Sequence, residues 1–235
     1  MSAIHFSKLA IRKLADYLTQ LPTSIANDCN NAAYLDTEAF KQQWQQLQYI
    51  DPNEPKALSA ESIEKEQVDW LIDLFNTVFS AKNVELVRGE SEPEYFPATE
   101  SGPARIEFAH GFFQSALHEI SHWSLAGSHR RTLPDFGYWY APDGRTEAQQ
   151  KAFEQVEIKP QAIECLFSLM CGRPFRVSQD NLHADFDTSQ STFEIDVYNQ
   201  AKLYIDAPQN LPRDAKTLLT VLALVCHDSI DNEMG

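Results

Sequence analysis

The sequence predicts an α+β fold that is mainly helical and contains a small antiparallel sheet. Apolar residues recur at helical spacing along most of the chain, which is typical of amphipathic helices. Two short segments, 84–87 and 104–108, instead alternate apolar and polar residues as half-buried strands do. With 235 residues, 43% of them hydrophobic, the chain is long enough to bury a substantial core.

The N-terminal part of the chain predicts a helical extension. Residues 4–19 and 37–49 have the apolar periodicity of two amphipathic helices. The proline-containing segment 51–55 then interrupts the pattern. We therefore predict an N-terminal helical extension over residues 1–55 and a metal-binding catalytic domain over residues 56–235, because every candidate ligand follows the interruption.

The remainder of the chain is predicted to be helical apart from the two strands. A helix starts at Ser59 or Ser62 and runs to about Ala81, and the segment between the strands is a loop or an edge strand because it holds three prolines. Pro160 predicts a break between two helices, since proline lacks the N–H that a helix interior needs. The other predicted helices span 111–126, 146–158, 160–170, 193–205 and 213–226.

Composition and charge exclude several classes of function. The formal net charge of -15 argues against a nucleic-acid binder, which needs a basic face, so we expect no direct nucleic-acid partner. No run of about 18 apolar residues occurs, so we expect no membrane partner and a cytoplasmic location. None of the four cysteines lies in a C-x-x-C pair, which predicts buried free thiols in a reducing compartment rather than a zinc–thiolate site.

The motif His118-Glu-Ile-Ser-His122 carries the chemistry of the chain. Positions i and i+4 lie on one face of a helix, so the two imidazoles can reach one metal ion. Glu119 lies on the adjacent part of the helix surface, where it can contact a metal-bound water. Apolar residues flank the motif and predict a buried helix, which leaves ligation as the main reason for two histidines there.

A functional ion needs a third protein ligand and an open coordination position. Spacing favours Glu157, at the predicted junction of two helices, and leaves Glu154 and Glu164 as less well placed alternatives. Zinc at such a site activates water for hydrolysis, whereas ferrous iron binds oxygen and substrate, and the motif does not choose between them. The carboxylates between the motif and residue 170 are Asp135, Asp143, Glu147, Glu154, Glu157 and Glu164.

Three further groups of residues are weaker candidates. His183-Ala-Asp185 with His227 imitates the iron motif of β-helix oxygenases, but that fold needs these residues on strands and neither segment looks like one. His110 precedes the motif and either supports the metal ligands from behind or has a structural role. The aromatic run 138–140 is either core or a substrate wall, and aromatic faces suit a cationic substrate.

Four segments occur in order and together resemble the bacterial elongation factor P hydroxylase family: Phe108-Ala-His-Gly-Phe112, His118-Glu-Ile-Ser-His122-Trp123, Asp135-Phe-Gly-Tyr-Trp-Tyr-Ala-Pro-Asp-Gly-Arg145 and Phe153-Glu-Gln-Val-Glu-Ile-Lys-Pro-Gln161. The resemblance covers roughly residues 66–206. It does not cover the N-terminal helices, and the C-terminal tail matches poorly.

The resemblance implies an iron-dependent hydroxylase of the monooxygenase type. Its substrates would be molecular oxygen and elongation factor P that carries a β-lysyl group on a lysine. The family's ligands fall on His118, His122 and Glu157 and would hold Fe(II), although zinc or another divalent ion could occupy the site in crystals. The implied fold has a metallopeptidase-like (zincin-like) core around the motif helix.

The resemblance also implies roles for residues around the metal. Glu119 would be catalytic and position a proton or a water, and Tyr138, Tyr140, Asp143 and Arg145 would contact the substrate. A 2-oxoglutarate co-substrate is not expected, because the H-x-D motif of those oxygenases is not supported. The alternatives are a zinc metallopeptidase with Glu119 as general base, and a binding module whose structural metal has four protein ligands.

Overall fold

The structure is a computed structural model that describes residues 4–21, 35–48, 59–137, 144–179 and 191–226. Seven α-helices and one three-stranded sheet form within these ranges, so the mainly helical fold with a small sheet is confirmed. None of the described helices is both long and apolar enough to span a bilayer. The helices are α1 (Ile11–Thr19), α2 (Thr37–Gln48), α3 (Ala60–Val78), α4 (Phe113–Leu125), α5 (Glu147–Met170), α6 (Phe193–Asp206) and α7 (Arg213–Cys226).

The sheet is mixed, so the prediction of an antiparallel sheet was wrong. Its strands are β1 (Val84–Arg88), β2 (Glu94–Phe96) and β3 (Ala104–Phe108), in the order β1-β3-β2. An antiparallel sheet results when consecutive strands pair with each other. Here β2 does not pair with β1, because β3 lies between them. Strand β3 is parallel to β1 and antiparallel to β2.

The first helix is shorter than the sequence predicts. A 3-10 turn at Phe6–Lys8 precedes α1, and Leu9 between them adopts an extended conformation. The Leu9 side chain is buried in the core, and the extended backbone at Leu9 interrupts the helix predicted over residues 4–19. Local helical periodicity is therefore overridden by packing at this point.

The predicted break near Ile158 was also wrong, because α5 continues through Pro160. A proline inside a helix leaves the carbonyl four residues earlier, here that of Val156, without its helical partner and costs about 3 kcal/mol. Val156 is 45% exposed, so water can reach this side of the helix. The part of the helix that follows Pro160 is buried on every side from Gln161 to Ser168, and this burial keeps the helix whole.

Helix α4 lies at the centre of the fold. It packs against β3, α3, α5 and α7, and its residues Phe113, Leu117 and Ile120 are fully buried. The side chain of Glu64 on α3 caps its start, because Glu64 Oε1 accepts a hydrogen bond of 2.8 Å from the backbone N–H of Phe113. Arg173 holds the other carboxylate oxygen of Glu64 at 2.7 Å. The helix that carries the motif is therefore fixed at its first turn and along its apolar face.

The predicted N-terminal extension shares its core with the rest of the chain. Helices α1 and α2 both pack on α7. Trp44 of α2 is fully buried, with its ring 4.5 Å from Trp70 of α3 and 5.8 Å from Phe113 of α4. The division at residue 55 stays a prediction, because residues 49–58 lie outside the described ranges.

We expect Trp44→Ala to lower the free energy of unfolding by about 3–5 kcal/mol, measured by urea denaturation, because it removes a large buried ring. Trp44→Phe should lose much less. It keeps an aromatic ring beside Trp70, and the buried Nε1 of Trp44 finds no acceptor among the described residues.

Gln45→Ala is the control for this experiment, since Gln45 is exposed on the same helix and should change stability by no more than about 0.5 kcal/mol. A loss below about 1 kcal/mol for Trp44→Ala would contradict a shared core.

Candidate metal centre

Helix α4 presents His118 and His122 on one face, one turn apart. Their Nε2 atoms lie 3.1 Å from each other. The side chain of His118 is 25% exposed and that of His122 is 9% exposed, so the pair lies just below the surface. Because the apolar face of the helix is locked in the core, the two imidazoles have a fixed direction.

Helix α5 brings Glu157 against both histidines. Its side chain is 1% exposed, with Oε1 at 3.3 Å from His122 Nε2 and Oε2 at 3.7 Å from His118 Nε2. One candidate ligand atom from each of the three residues lies within 4.8 Å of the others. Two imidazole nitrogens and a carboxylate oxygen are a donor set that divalent transition metals accept, so the residues fit a metal site.

Glu164, one of the less favoured candidate ligands, contacts the ring nitrogen of His118 that points away from Glu157. Its Oε2 lies 2.7 Å from His118 Nδ1. An ionised carboxylate only accepts, so Nδ1–H donates, and Nε2, which faces Glu157 and His122, is the ring nitrogen left to bind a metal once its proton is displaced. Metal-binding histidines commonly have such a carboxylate on the far ring nitrogen.

The signal that identifies Glu164 is a polar stripe along α5. Glu157, Gln161, Glu164 and Ser168 follow each other at helical spacing, and all four are buried. The stripe exists only if the helix is continuous. The predicted break at Pro160 divided it, which is why spacing assigned Glu164 no role beyond that of an alternative ligand.

Gln161 connects the candidate ligand Glu157 to the segment that follows α5. Its Nε2 donates to Glu157 Oε2 at 3.3 Å and to the backbone carbonyl of Ser178 at 2.7 Å. Its Oε1 accepts from the backbone N–H of Ser178 at 3.0 Å. The side chain of Gln161 thus limits the movement of Glu157 and fastens Ser178 across the helix.

The charges of the cluster compensate each other. Burial alone lowers the pKa of His118, but the carboxylates of Glu164, Glu157 and Glu119, and above all the hydrogen-bonded Glu164, raise this pKa to about 10. Burial raises the pKa of Glu157, but His122 and His118 outweigh it and lower this pKa to about 2. In the metal-free protein at neutral pH, His118 is therefore protonated and Glu157 is anionic.

Glu119 differs from the other carboxylates of the site. It is half-buried beside both histidines. Burial raises its pKa, while His118 and His122 oppose the rise and Glu157 adds to it. Among the described residues its carboxylate makes no hydrogen bond or ion pair. A carboxyl group with a raised pKa and no fixed partner suits the uptake and release of a proton.

Arg145, which is predicted to contact the substrate, is buried. It is 6% exposed, and its Nε donates to Gln150 Oε1 at 3.0 Å. Its Nη2 donates to the backbone carbonyl of Gln179 at 2.9 Å, and its guanidinium lies 3.8 Å from the centre of the Phe153 ring. These contacts join the start of α5 to the segment after it.

The other predicted site residues are His110, which is not bonded to the cluster, and residues outside the described ranges. His110 is exposed, and within the described chain its ring contacts Phe112 while no hydrogen bond or ion pair joins it to the three candidate ligands. The remaining candidates lie outside the described residues: Tyr138, Tyr140, Asp143, His183, Asp185 and His227. The three described cysteines are buried and free, as predicted.

Comparison with known proteins identifies the family. Residues 74–233 match the elongation factor P hydroxylase family. A curated relative, named elongation factor P lysine hydroxylase, from Haemophilus influenzae is 45% identical over 171 residues, which cover 72% of this chain and 93% of the relative. The chain belongs to the elongation factor P hydroxylase family. The family predicted from the sequence is thus confirmed, and the C-terminal tail, expected to match poorly, falls within the matched range.

We expect Glu157→Ala to weaken Zn(II) binding by more than about 100-fold, because it removes a metal ligand. Loss of a residue that only orients a ligand costs about 10–100-fold. Zn(II) titration against a chromogenic chelator measures the affinity. Glu154→Ala is the matched control, since Glu154 is a buried carboxylate on the same helix whose hydrogen-bond partners among the described residues are Gln150 and Ser191. Equal affinities of the two variants would contradict the assignment of the site.

Zn(II) binding should strengthen as pH rises from 6 to 8. With a pKa of about 10, His118 carries a proton throughout this range, and the metal must displace it. Each unit of pH raises the deprotonated fraction about tenfold, so the dissociation constant should fall roughly tenfold per unit. Isothermal titration in buffers of different ionisation enthalpy measures the released proton, and a pH-independent affinity would contradict the proton displacement.

Proposed function

We propose that this chain hydroxylates a lysine side chain of elongation factor P in an iron-dependent reaction. Membership of a hydroxylase family, with 45% identity to a lysine hydroxylase over most of that relative, carries the proposal. The enzyme is accordingly an oxidoreductase. The finer parts of the proposal are the β-lysyl group on the target lysine, molecular oxygen as co-substrate and ferrous iron as the metal.

The donor set supports iron at His118, His122 and Glu157. Two histidines and one carboxylate form the facial triad of non-haem iron oxygenases, and no fourth His, Cys, Asp or Glu of the described residues joins the group. Zinc would fit the same donors but has no redox chemistry, so hydroxylation favours iron. Bound Fe(II) would supply the activation of oxygen.

The protein's own groups would orient the ligands and handle a proton. Glu164 and Gln161 hold His118 and Glu157, so the ligands need little rearrangement to receive the ion. Glu119, half-buried and without a fixed partner among the described residues, would take up or deliver a proton beside the metal. It is the catalytic residue of the proposal.

Substrate contacts are proposed for the aromatic segment between α4 and α5. A β-lysyl-lysine side chain is long and cationic, which suits the aromatic faces of Tyr138 and Tyr140 and the carboxylate of Asp143. Arg145 is buried among Gln150, Gln179 and Phe153, so its effect on the substrate would be indirect. The chain's net charge of -15 agrees with a cationic substrate and with no direct nucleic-acid partner.

A metallopeptidase-like core remains part of the proposal. It is supported by α4, which carries the H-E-x-x-H motif and packs both on strand β3 and on α5 with the third candidate ligand. The catalytic domain would start at residue 56, and the helices before it would stabilise the same core through Trp44.

The intact mass of β-lysylated elongation factor P, incubated with this protein, Fe(II) and a reductant in air, tests the proposal. We expect a mass gain of one oxygen atom, because the reaction inserts one hydroxyl group. The gain should be absent with His118→Ala, which removes a proposed ligand.

Elongation factor P without the β-lysyl group and protein loaded with zinc are the controls, and neither should gain mass. No gain with folded, iron-loaded protein would contradict the hydroxylase. Peptide cleavage by the zinc-loaded protein that Glu119→Gln abolishes would support the metallopeptidase instead.

A further inference from the structure

We propose that Glu164 is a positioning residue that holds the His118 ring with Nε2 directed at the metal. The inference concerns the metal site of the proposed function and rests on it. Neither the family match nor the name of the relative assigns Glu164 a role. The groups that carry the argument are both carboxylate oxygens of Glu164 and the side chains that surround them.

Each carboxylate oxygen of Glu164 has its own partner on α4. Oε2 accepts the Nδ1–H of His118 at 2.7 Å, and Oε1 accepts a hydrogen bond from Gln114 Nε2. Gln114 and His118 lie four residues apart, so they are on the same face of α4. The carboxylate therefore spans one turn of the neighbouring helix and cannot rotate without breaking one of the two bonds.

Ser168 completes the anchor one turn further along α5. It is fully buried, and its hydroxyl donates to the backbone carbonyl of Glu164 at 2.8 Å. The hydroxyl oxygen of Ser168 also accepts a hydrogen bond from Gln114 Nε2 at 3.0 Å. Gln114 is thus held by two groups, and the orientation of its amide is determined because the carboxylate needs a donor.

Glu164 is not a fourth ligand in this arrangement. Its oxygen bonds Nδ1 of His118, whereas the group of candidate ligand atoms lies at Nε2 on the other side of the ring. A carboxylate that is 5% exposed is costly unless it is paired. The pairing with His118 explains its position, and its consequence is a fixed tautomer, since Nδ1 keeps the proton and Nε2 donates its lone pair.

Co(II) affinity of the full chain tests the inference. We expect Glu164→Ala to weaken Co(II) binding by about 10–100-fold, the range for loss of a carboxylate that orients a ligating histidine. Glu164→Gln should lose less, because the amide oxygen still accepts from Nδ1–H but carries no charge. It is also nearly isosteric, so it carries the test if Glu164→Ala does not fold.

The matched controls are Glu154→Ala and Glu154→Gln. Glu154 is a buried carboxylate on the same helix, 9% exposed, whose partners are Gln150 and Ser191. These variants lose comparable burial and charge, so thermal unfolding of the metal-free proteins can be matched. Wild-type Co(II) affinity in the Glu154 variants together with weakened affinity in the Glu164 variants supports positioning. Equal losses at both positions would overturn it.

The ring protons of His118 give a second readout that a general loss of stability does not imitate. In the Zn(II)-loaded wild type we expect a slowly exchanging Nδ1–H resonance from His118 in the ¹⁵N–¹H spectrum, because Nδ1 is hydrogen-bonded and Nε2 is bound to metal. Glu164→Ala should lose this resonance while the Zn(II)-bound His122 signals remain. Coordination of His118 through Nδ1 in the wild type would overturn the inference.

The two proposals fail separately. If the wild type binds Co(II) as expected but never modifies elongation factor P, the hydroxylase proposal fails and the role of Glu164 stands. If the Glu164 variants bind Co(II) as tightly as the wild type while the wild type hydroxylates its substrate, the inference about Glu164 is overturned alone.

Discussion

The structure depends on the pairing of buried carboxylates on α5 with two histidines on α4. Glu157 and Glu164 lie almost entirely out of water, and an isolated carboxylate in such a place would cost several kcal/mol. His118 satisfies both from its two ring nitrogens, and His122 adds a second contact to Glu157. The contact of α4 with α5 is therefore polar from Glu157 to Ser168, and these paired groups set the register between the two helices.

The same pairing prepares the site for a metal. In the metal-free protein a proton on His118 balances Glu157 and Glu164, as the opposite shifts in the pKa of His118 and of Glu157 indicate. His118 and Glu157 would help to hold a divalent ion, and the charge of that ion would replace the charge of the proton. The outer contacts of Gln161 and Gln114 then keep the carboxylates in place.

Local sequence patterns predicted much of this arrangement, and its limits have physical causes. The i, i+4 spacing indicated that His118 and His122 share a helix face, and the structure brings Glu157 to them. The role of Glu164 was missed because Pro160 predicted a break in α5. The helix continues, since burial of the residues around Glu164 outweighs the local cost of a proline. The strand order was also beyond local patterns, since alternation predicts strands but not their neighbours. Arg145 was predicted to contact the substrate, and only the fold reveals the partners that bury it.

The helices outside the family match contribute to the geometry of the site. The match starts at residue 74, yet Glu64 caps the first turn of α4 and Trp44 packs on Phe113 in the same turn. His118 lies little more than one turn further along α4. Contacts that hold the first turn therefore also hold the motif in place in the fold. Helix α2 and the part of α3 that precedes the matched range are thus structural partners of the candidate metal centre.

The source of the inserted oxygen tests the account most directly. The reaction would be run with β-lysylated elongation factor P, the iron-loaded protein and a reductant under heavy-isotope oxygen gas in ordinary water. The account predicts that the added atom carries the heavy isotope, because the site would hold a redox-active metal that activates molecular oxygen. An added atom of ordinary mass, derived from water, or no addition at all, would contradict it.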